Sequence, residues 1–217
     1  MTDIVRANMP GLGKTYHGTR TPPTDYDTTG DTVSLEGTKI TFRDYATSNT
    51  VGLPKSITSG RPLIARMVRN TSGGALLPGY AVTWEAGYEK RRVDGRATTT
   101  AVRIAGIVDP FLPAAGVRDD DMFWLVQGGP CLCKTSLAGD GENVISVGDV
   151  LYALTAATSG ATTAGRVVAW AGTFSAAETT DGTAGLILLN QFGRALSAKT
   201  TANTNANILV DLELEKA

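Results

Sequence analysis

Histidine is almost absent from this chain: His17 is the single one among 217 residues. The imidazole that serves many hydrolases as general base, and many zinc sites as ligand, is therefore confined to one N-terminal position. Cysteine is nearly as scarce, with Cys131 and Cys133 the two present. A disulfide between residues two apart is badly strained, and two thiolates without further partners do not complete a zinc site. In a strand they share one face, with Leu132 on the other, and they read as small buried residues rather than as a redox or metal pair. Charge of one sign is missing too: 20 Lys and Arg against 21 Asp and Glu leave a net charge of −1, so no bulk charge recruits nucleic acid. The short runs Lys90-Arg91-Arg92 and Asp119-Asp120-Asp121 read as solvated loop ends. No apolar run approaches the roughly 20 residues of a membrane span, and Met1-Thr2-Asp3-Ile4 lacks the basic-then-apolar order of a secretion signal. The expectation is a soluble protein made in a cytoplasm, without nucleic acid or membrane as partner.

What is abundant is glycine, at 25 residues, together with Thr and Ala. That composition favours strands and tight turns over helices. Residues 1–60 are rich in Thr, Pro and Gly with few apolar clusters, and bury little surface by themselves. They read as an extended arm with short strands near Val33 to Leu35 and Lys39 to Tyr45. From Arg61 onward, strand-length apolar runs alternate with turn signals: "LIARMVRN", "YAVTWEAG", "AVRIAGIV", "MFWLVQGG", "DVLYALTA", "RVVAWAGTF", "LILLNQF" and "NILVDLELE". Asp94-Gly95, Asp140-Gly141 and Asp181-Gly182 read as hairpin turns. Val210, Leu212 and Leu214 alternate with Asp211, Glu213 and Glu215, as in a half-buried strand. The fold class expected is all-β, a small β-barrel or β-sandwich over 61–217 with an extended N-terminal arm over 1–60. "LLPGYAVTW" and "ISVGDVLYA" echo each other weakly, as a duplicated unit or as chance in a chain of this composition.

Candidates for chemistry lack parts. "NMPGLGKTYHGT" has Lys14 and Thr15 in Walker-like order, but Asn8 stands where the first glycine belongs, and Gly18, Pro22 and Pro23 forbid the helix that would bind phosphate. "DYDTTGDTVSLE" places Asp25, Asp27, Asp31 and Glu36 at ligand positions of a calcium-loop template, yet neither flank forms a helix; cation binding there is left open. No Gly-x-Ser-x-Gly elbow accompanies His17. Glu85, Glu89, Asp94, Asp109 and Glu142 read as ordinary loop acids near strand ends, and Trp84, Trp124 and Trp170 as core or interface anchors. No catalytic, cofactor or metal residue is assigned, and the chain is not expected to be an enzyme.

The stretch "VRNTSGGALLPGYAVTW", then "TTTAVRIAGIVDPFLPAAGVRDDDMFWLVQGGPCLCKT", then "NVISVGDVLYALTAATSGATTAGRVV" resembles the capsid decoration, or cement, proteins of tailed bacteriophages. The shared order is an Asn-Thr-Ser-Gly-Gly turn, an apolar-x-Gly strand opening, an "AGIV" strand, a "W-L-V-x-x-G-P" strand and a second Gly-centred opening. The resemblance implies a β domain on the outside of a phage head, commonly trimeric, clamping neighbouring major capsid protein subunits, in a virion assembled in a bacterial host. The arm lies outside the resemblance. Its anchors to a capsid protein or a sister subunit are expected at Val33, Leu35, Ile40, Phe42 and Tyr45, where strand addition to an exposed edge would use backbone hydrogen bonds. A carbohydrate-binding or host-attachment module on the same kind of particle is the alternative.

Overall fold

The computed structural model describes residues 36–43, 62–96, 104–135, 144–153, 165–169, 191–200 and 206–214. They form ten strands and no helix: β1 (Lys39–Arg43), β2 (Pro62–Asn70), β3 (Ala81–Trp84), β4 (Arg92–Arg96), β5 (Ile104–Val108), β6 (Met122–Lys134), β7 (Val150–Ala153), β8 (Val167–Ala169), β9 (Gln191–Ala195) and β10 (Asn207–Glu213). The all-β class expected from the pattern is the observed one, and each of the eight apolar runs contains or overlaps a strand. β10 buries Ile208, Val210 and Leu212 on one face, as its alternation requires. β2 is instead buried at every position after Pro62, which explains its continuous apolar run: both of its faces are covered.

The strands form one sheet in the order β1-β2-β4-β3-β5-β6-β10-β9-β7-β8, and an added β2–β6 pairing folds part of it back on itself. β2, β4, β3, β5 and the first half of β6 thereby close a ring. Its closure is a parallel pair, Arg69↔Arg92 and Asn70↔Val93, between the first and third strands. At Gly128 and Gly129 strand β6 leaves this ring and runs on to pair β10. Gly129 has φ 81, and a Cβ there would lie 2.1 Å from the Pro62 carbonyl oxygen, so glycine is required at the crossing.

The second half of β6 opens a second ring with β7, β8, β9 and β10, closed by the parallel bridge Thr135↔Val167. The two rings repeat the same loop and the same pairing of the strand it opens. In the first, Leu76 bridges Val117, a turn passes through Gly79, the Gly79 N–H donates to the Val108 carbonyl (3.0 Å) and the Val108 N–H to the Tyr80 carbonyl (2.9 Å). In the second, Ile145 bridges Lys199, a turn passes through Gly148, the Gly148 N–H donates to the Ala195 carbonyl (2.8 Å) and the Ala195 N–H to the Asp149 carbonyl (2.9 Å). β3 pairs β5 through Ala81↔Ile107, Val82↔Gly106 and Thr83↔Ile104; β7 pairs β9 through Val150↔Arg194, Leu151↔Gly193 and Tyr152↔Gln191. The one-residue slip falls at the same step in both. A Cβ on Gly106 would sit 2.6 Å from the Val126 oxygen, and one on Gly193 2.3 Å from the Asp211 oxygen. The echo between "LLPGYAVTW" and "ISVGDVLYA" is therefore a structural duplication.

Equivalent positions fill both interiors. Val68, Val82, Val93, Val108, Phe123 and Leu125 form the core of the first ring. Their counterparts Cys133, Leu151, Val167, Ala195, Ile208 and Val210 belong to a larger cluster, which also takes Leu63, Ala65, Met67, Trp124 and Val126 from the other face of β2 and β6. The second ring is thus fused to the outside of the first. Each such aliphatic or aromatic side chain contributes about 1.5–3 kcal/mol on full burial.

One turn signal is corrected. Asp94-Gly95 is not a hairpin turn but lies inside β4, where Thr83 pairs Gly95 and Trp84 pairs Val93. Asp94 is the extra residue of a β-bulge, and Gly95 (φ 116) supplies its backbone. The β3–β4 connection is made instead by residues 85–91, with the Tyr88 N–H donating to the Glu85 carbonyl at 3.0 Å. Asp140-Gly141 and Asp181-Gly182 lie outside the described residues.

Candidate docking edge

β1 ends the sheet, with β2 as its neighbour among the described residues. A strand at the end of a sheet is the kind of template on which another strand adds. The turn before it is fastened from several directions. Gly37 (φ 85) donates its N–H to the Met67 carbonyl at 2.8 Å, and the Met67 N–H donates to the Thr38 carbonyl at 2.9 Å. Arg66 Nη1 donates to the Gly37 carbonyl at 2.9 Å while its Nε donates to Gln127 Oε1 at 2.9 Å.

Beneath the turn lies a buried ionic latch. Arg69 Nε donates to Glu36 Oε1, with side chains 2% and 6% exposed. Arg69 Nη1 donates to the Asp120 carbonyl (2.8 Å) and to its Oδ1 (3.0 Å), both reachable because Asp120 adopts a left-handed backbone (φ 67). Arg92 Nε stands 3.7 Å from Glu36 Oε2, and its guanidinium stacks 4.1 Å over the Tyr88 ring. Burial disfavours the Arg69 charge, yet the Glu36 and Asp120 carboxylates outweigh it and hold the guanidinium above its ordinary pKa. Removing one partner of such a pair costs about 3–5 kcal/mol, because a buried charge is left behind.

The latch corrects the reading of the two charged runs as solvated loop ends. Lys90 and Arg91 are exposed, but Arg92 opens β4 and faces Glu36, while Asp120 binds Arg69 and Asp121 is buried. Asp119 accepts the Gly73 N–H at 2.9 Å. Glu36, the last position of the calcium-loop template, is engaged by two guanidinium groups; Asp25, Asp27 and Asp31 lie outside the described residues. So do Lys14, Thr15 and His17. No signal in the sequence links Arg69 to Glu36 or Asp120, since the β1–β2 pairing brings Glu36 to it and the β2–β6 pairing brings Asp120.

Of the expected arm anchors, Ile40 is half-buried and packs on the larger cluster of this chain, opposite Ala65. Phe42 pairs Leu63 through the backbone of β1. Val33, Leu35 and Tyr45 lie outside the described residues. The candidate acids do not converge: Glu85 accepts from the Thr71 hydroxyl (2.9 Å), Glu89 from the Gly87 N–H (3.3 Å), and buried Asp109 from the Phe111 N–H (2.9 Å). Asp94 is exposed in its bulge, and Glu142 lies outside the described residues. Trp124 is buried in the larger cluster and Trp84 packs half-buried on the smaller one. Cys131 and Cys133 are buried free thiols on one face, in the place that Arg66 and Val68 occupy in the first ring. Burial, with Cys133 and Asp109 nearby, pushes the Cys131 thiol well above its usual pKa, away from the thiolate a reactive cysteine needs. Among the described residues no group of three or more His, Cys, Asp or Glu stands ready to hold a metal, and no helix is long and apolar enough to cross a membrane.

No protein-family model matches the chain, and no curated protein matches it. Among solved structures, a chain from the capsid of Myoviridae Phage XM1 is similar at 17% identity and a TM-score of 0.46, over 77% of this chain and 95% of that one.

Proposed function

We propose that this chain is a capsid-related structural protein of a phage virion, which binds the outer surface of the head and cements neighbouring major capsid subunits, as a homotrimer and without catalysis. The observation that carries this reading is where the motifs shared with decoration proteins fall. The Asn-Thr-Ser-Gly-Gly turn is organised by buried Asn70, whose Nδ2 donates to the carbonyls of Gly74 (2.8 Å), Val117 (3.1 Å) and Arg118 (3.0 Å). The "AGIV" stretch lies in buried β5, "W-L-V-x-x-G-P" lies in β6 where it passes from one ring to the other, and both Gly-centred openings lead into β3 and β7. The shared features are thus those that build and join the rings, as suits a protein whose task is to present rigid surface. Several modest contacts across adjoining capsomers act together, so multivalency makes each docked subunit hard to remove.

The test mixes the purified chain with undecorated heads and, separately, with a glycan array. Retention on heads that is lost on deleting residues 1–60 is expected. Retention on glycans without binding to heads contradicts the proposal and favours the host-attachment reading.

A further inference from the structure

The first strand is joined to its neighbour by a connection far longer than their pairing needs. β1 and β2 run antiparallel and Arg43 pairs Pro62, so their near ends lie side by side. A hairpin closes such ends with about two to five residues. This chain uses eighteen, residues 44–61. Fully extended, a segment of that length reaches about 60 Å. The seat of residues 36–43 is built from the far side of the connection. β2 pairs all five residues of β1, the Met67 carbonyl accepts the Gly37 N–H, and Arg66 Nη1 donates to the Gly37 carbonyl. Arg69 and Arg92 face the Glu36 carboxylate, and the larger cluster takes Ile40. With no occupant the seat takes the Glu36 carboxylate away from Arg69, whose side chain is 2% exposed, and opens the edge of β2 at buried Leu63 and Ala65.

We infer that residues 36–43 are exchanged between copies of this chain, the β1 and Glu36 of each filling the β2 seat of another. The occupant is the segment that the seat already fits. Its register on β2, its Gly37 turn and its carboxylate between two guanidinium groups are the same whether it arrives from its own chain or from a neighbour. Exchange therefore keeps every contact, and what opposes it is the entropy of association. A flexible connection of this length holds the segment near its own seat at an effective concentration on the order of millimolar, so a copy fixed alongside competes on nearly equal terms. The arrangement within one chain is the dilute form, and exchange is the crowded one. Because an empty seat strands a buried guanidinium, each copy that gives a segment takes one, and the donations close into a ring of copies. The inference deepens the homotrimer of the proposed function and rests on that reading for the number of copies alone.

Disulfide trapping across the Arg43↔Pro62 pair tests it. Cys131 and Cys133 are buried and stay out of the reaction. The full chain carrying both Arg43→Cys and Pro62→Cys is oxidised in dilute solution, near millimolar concentration and on undecorated heads, then run on a denaturing gel without reductant. A bond within each chain is expected in dilute solution, and covalently joined copies when the chains are crowded. In the same double variant, replacing residues 44–61 by a turn of about four residues keeps β1 on its own β2. An unchanged circular dichroism spectrum is expected, with the joined fraction lowered at least tenfold. Bonds confined to single chains under all three conditions, or a short-turn chain that joins copies as readily as the long one, overturn the inference. Head binding is read in parallel: chains that decorate heads with bonds confined to single chains overturn the exchange and keep the capsid reading, whereas chains that join in concentrated solution but ignore heads do the reverse.

Discussion

The first ring and the second share the hydrogen bonds of the loop into β3 or β7 but not their surroundings, and the Asp94 bulge of β4 has no counterpart in β8. The first is filled by its own cluster, covered on its leading edge by β1, locked by the Glu36–Arg69 pair and wedged at its loop against its neighbour. The second draws its core from a cluster shared with the outside of the first, and its corresponding loop is open. Where the first ring buries Val117 beside Leu76, the second buries Lys199 beside Ile145. The same backbone therefore supports a closed unit built for stability and an open one available for contact. What both must keep is limited to apolar interiors, and glycine where backbones approach too closely for a Cβ.

The largest expected effect tests whether the interiors are equivalent. Phe123→Ala should cost about 3–5 kcal/mol and its counterpart Ile208→Ala about 2–5 kcal/mol in denaturant unfolding. An Ile208→Ala chain as stable as wild type would break the equivalence. Next, Gly106→Ala and Gly193→Ala should each destabilise, by about 1–3 kcal/mol, because the added methyl meets a strand carbonyl in both. Stabilisation at either glycine, the usual result at an open position, would show that the close approach exists in one ring only.

The smallest effect sharpens the difference. Burial lowers the Lys199 pKa below that of a free lysine. The folded chain thus binds fewer protons than the unfolded one between the two pKa values, so stability from this residue rises with pH across that window. Lys199→Met should flatten that alkaline rise, read from thermal unfolding at a series of pH values. An unchanged slope would place the amine in solvent.

Much of this was legible in the sequence, because strand formation follows local pattern: the alternation in β10 and the apolar run of β5 are both where the residues put them. The arrangement of strands was harder to read. Asp94-Gly95 carries the same dipeptide signal for a bulge as for a hairpin, and only pairing with β3 distinguishes them. Gly128-Gly129-Pro130 looks like a break, yet β6 runs through it because Gly129 lets the strand pass close to Pro62. The duplication left a faint trace, since equal hydrogen bonds require Gly79 and Gly148 to match but accept Val117 against Lys199. The latch left none, because Glu36, Arg69, Arg92 and Asp120 come from four segments that meet only when β2 pairs β1, β4 and β6.

Hydrogen exchange at Ala81 and Val147 measures the contrast between the closed loop and the open one most directly. Ala81, whose N–H is bonded to the Gly165 carbonyl, should be protected, and Val147, 65% exposed in the corresponding loop of the second ring, should exchange fast. Equal protection of the two amides would contradict the account.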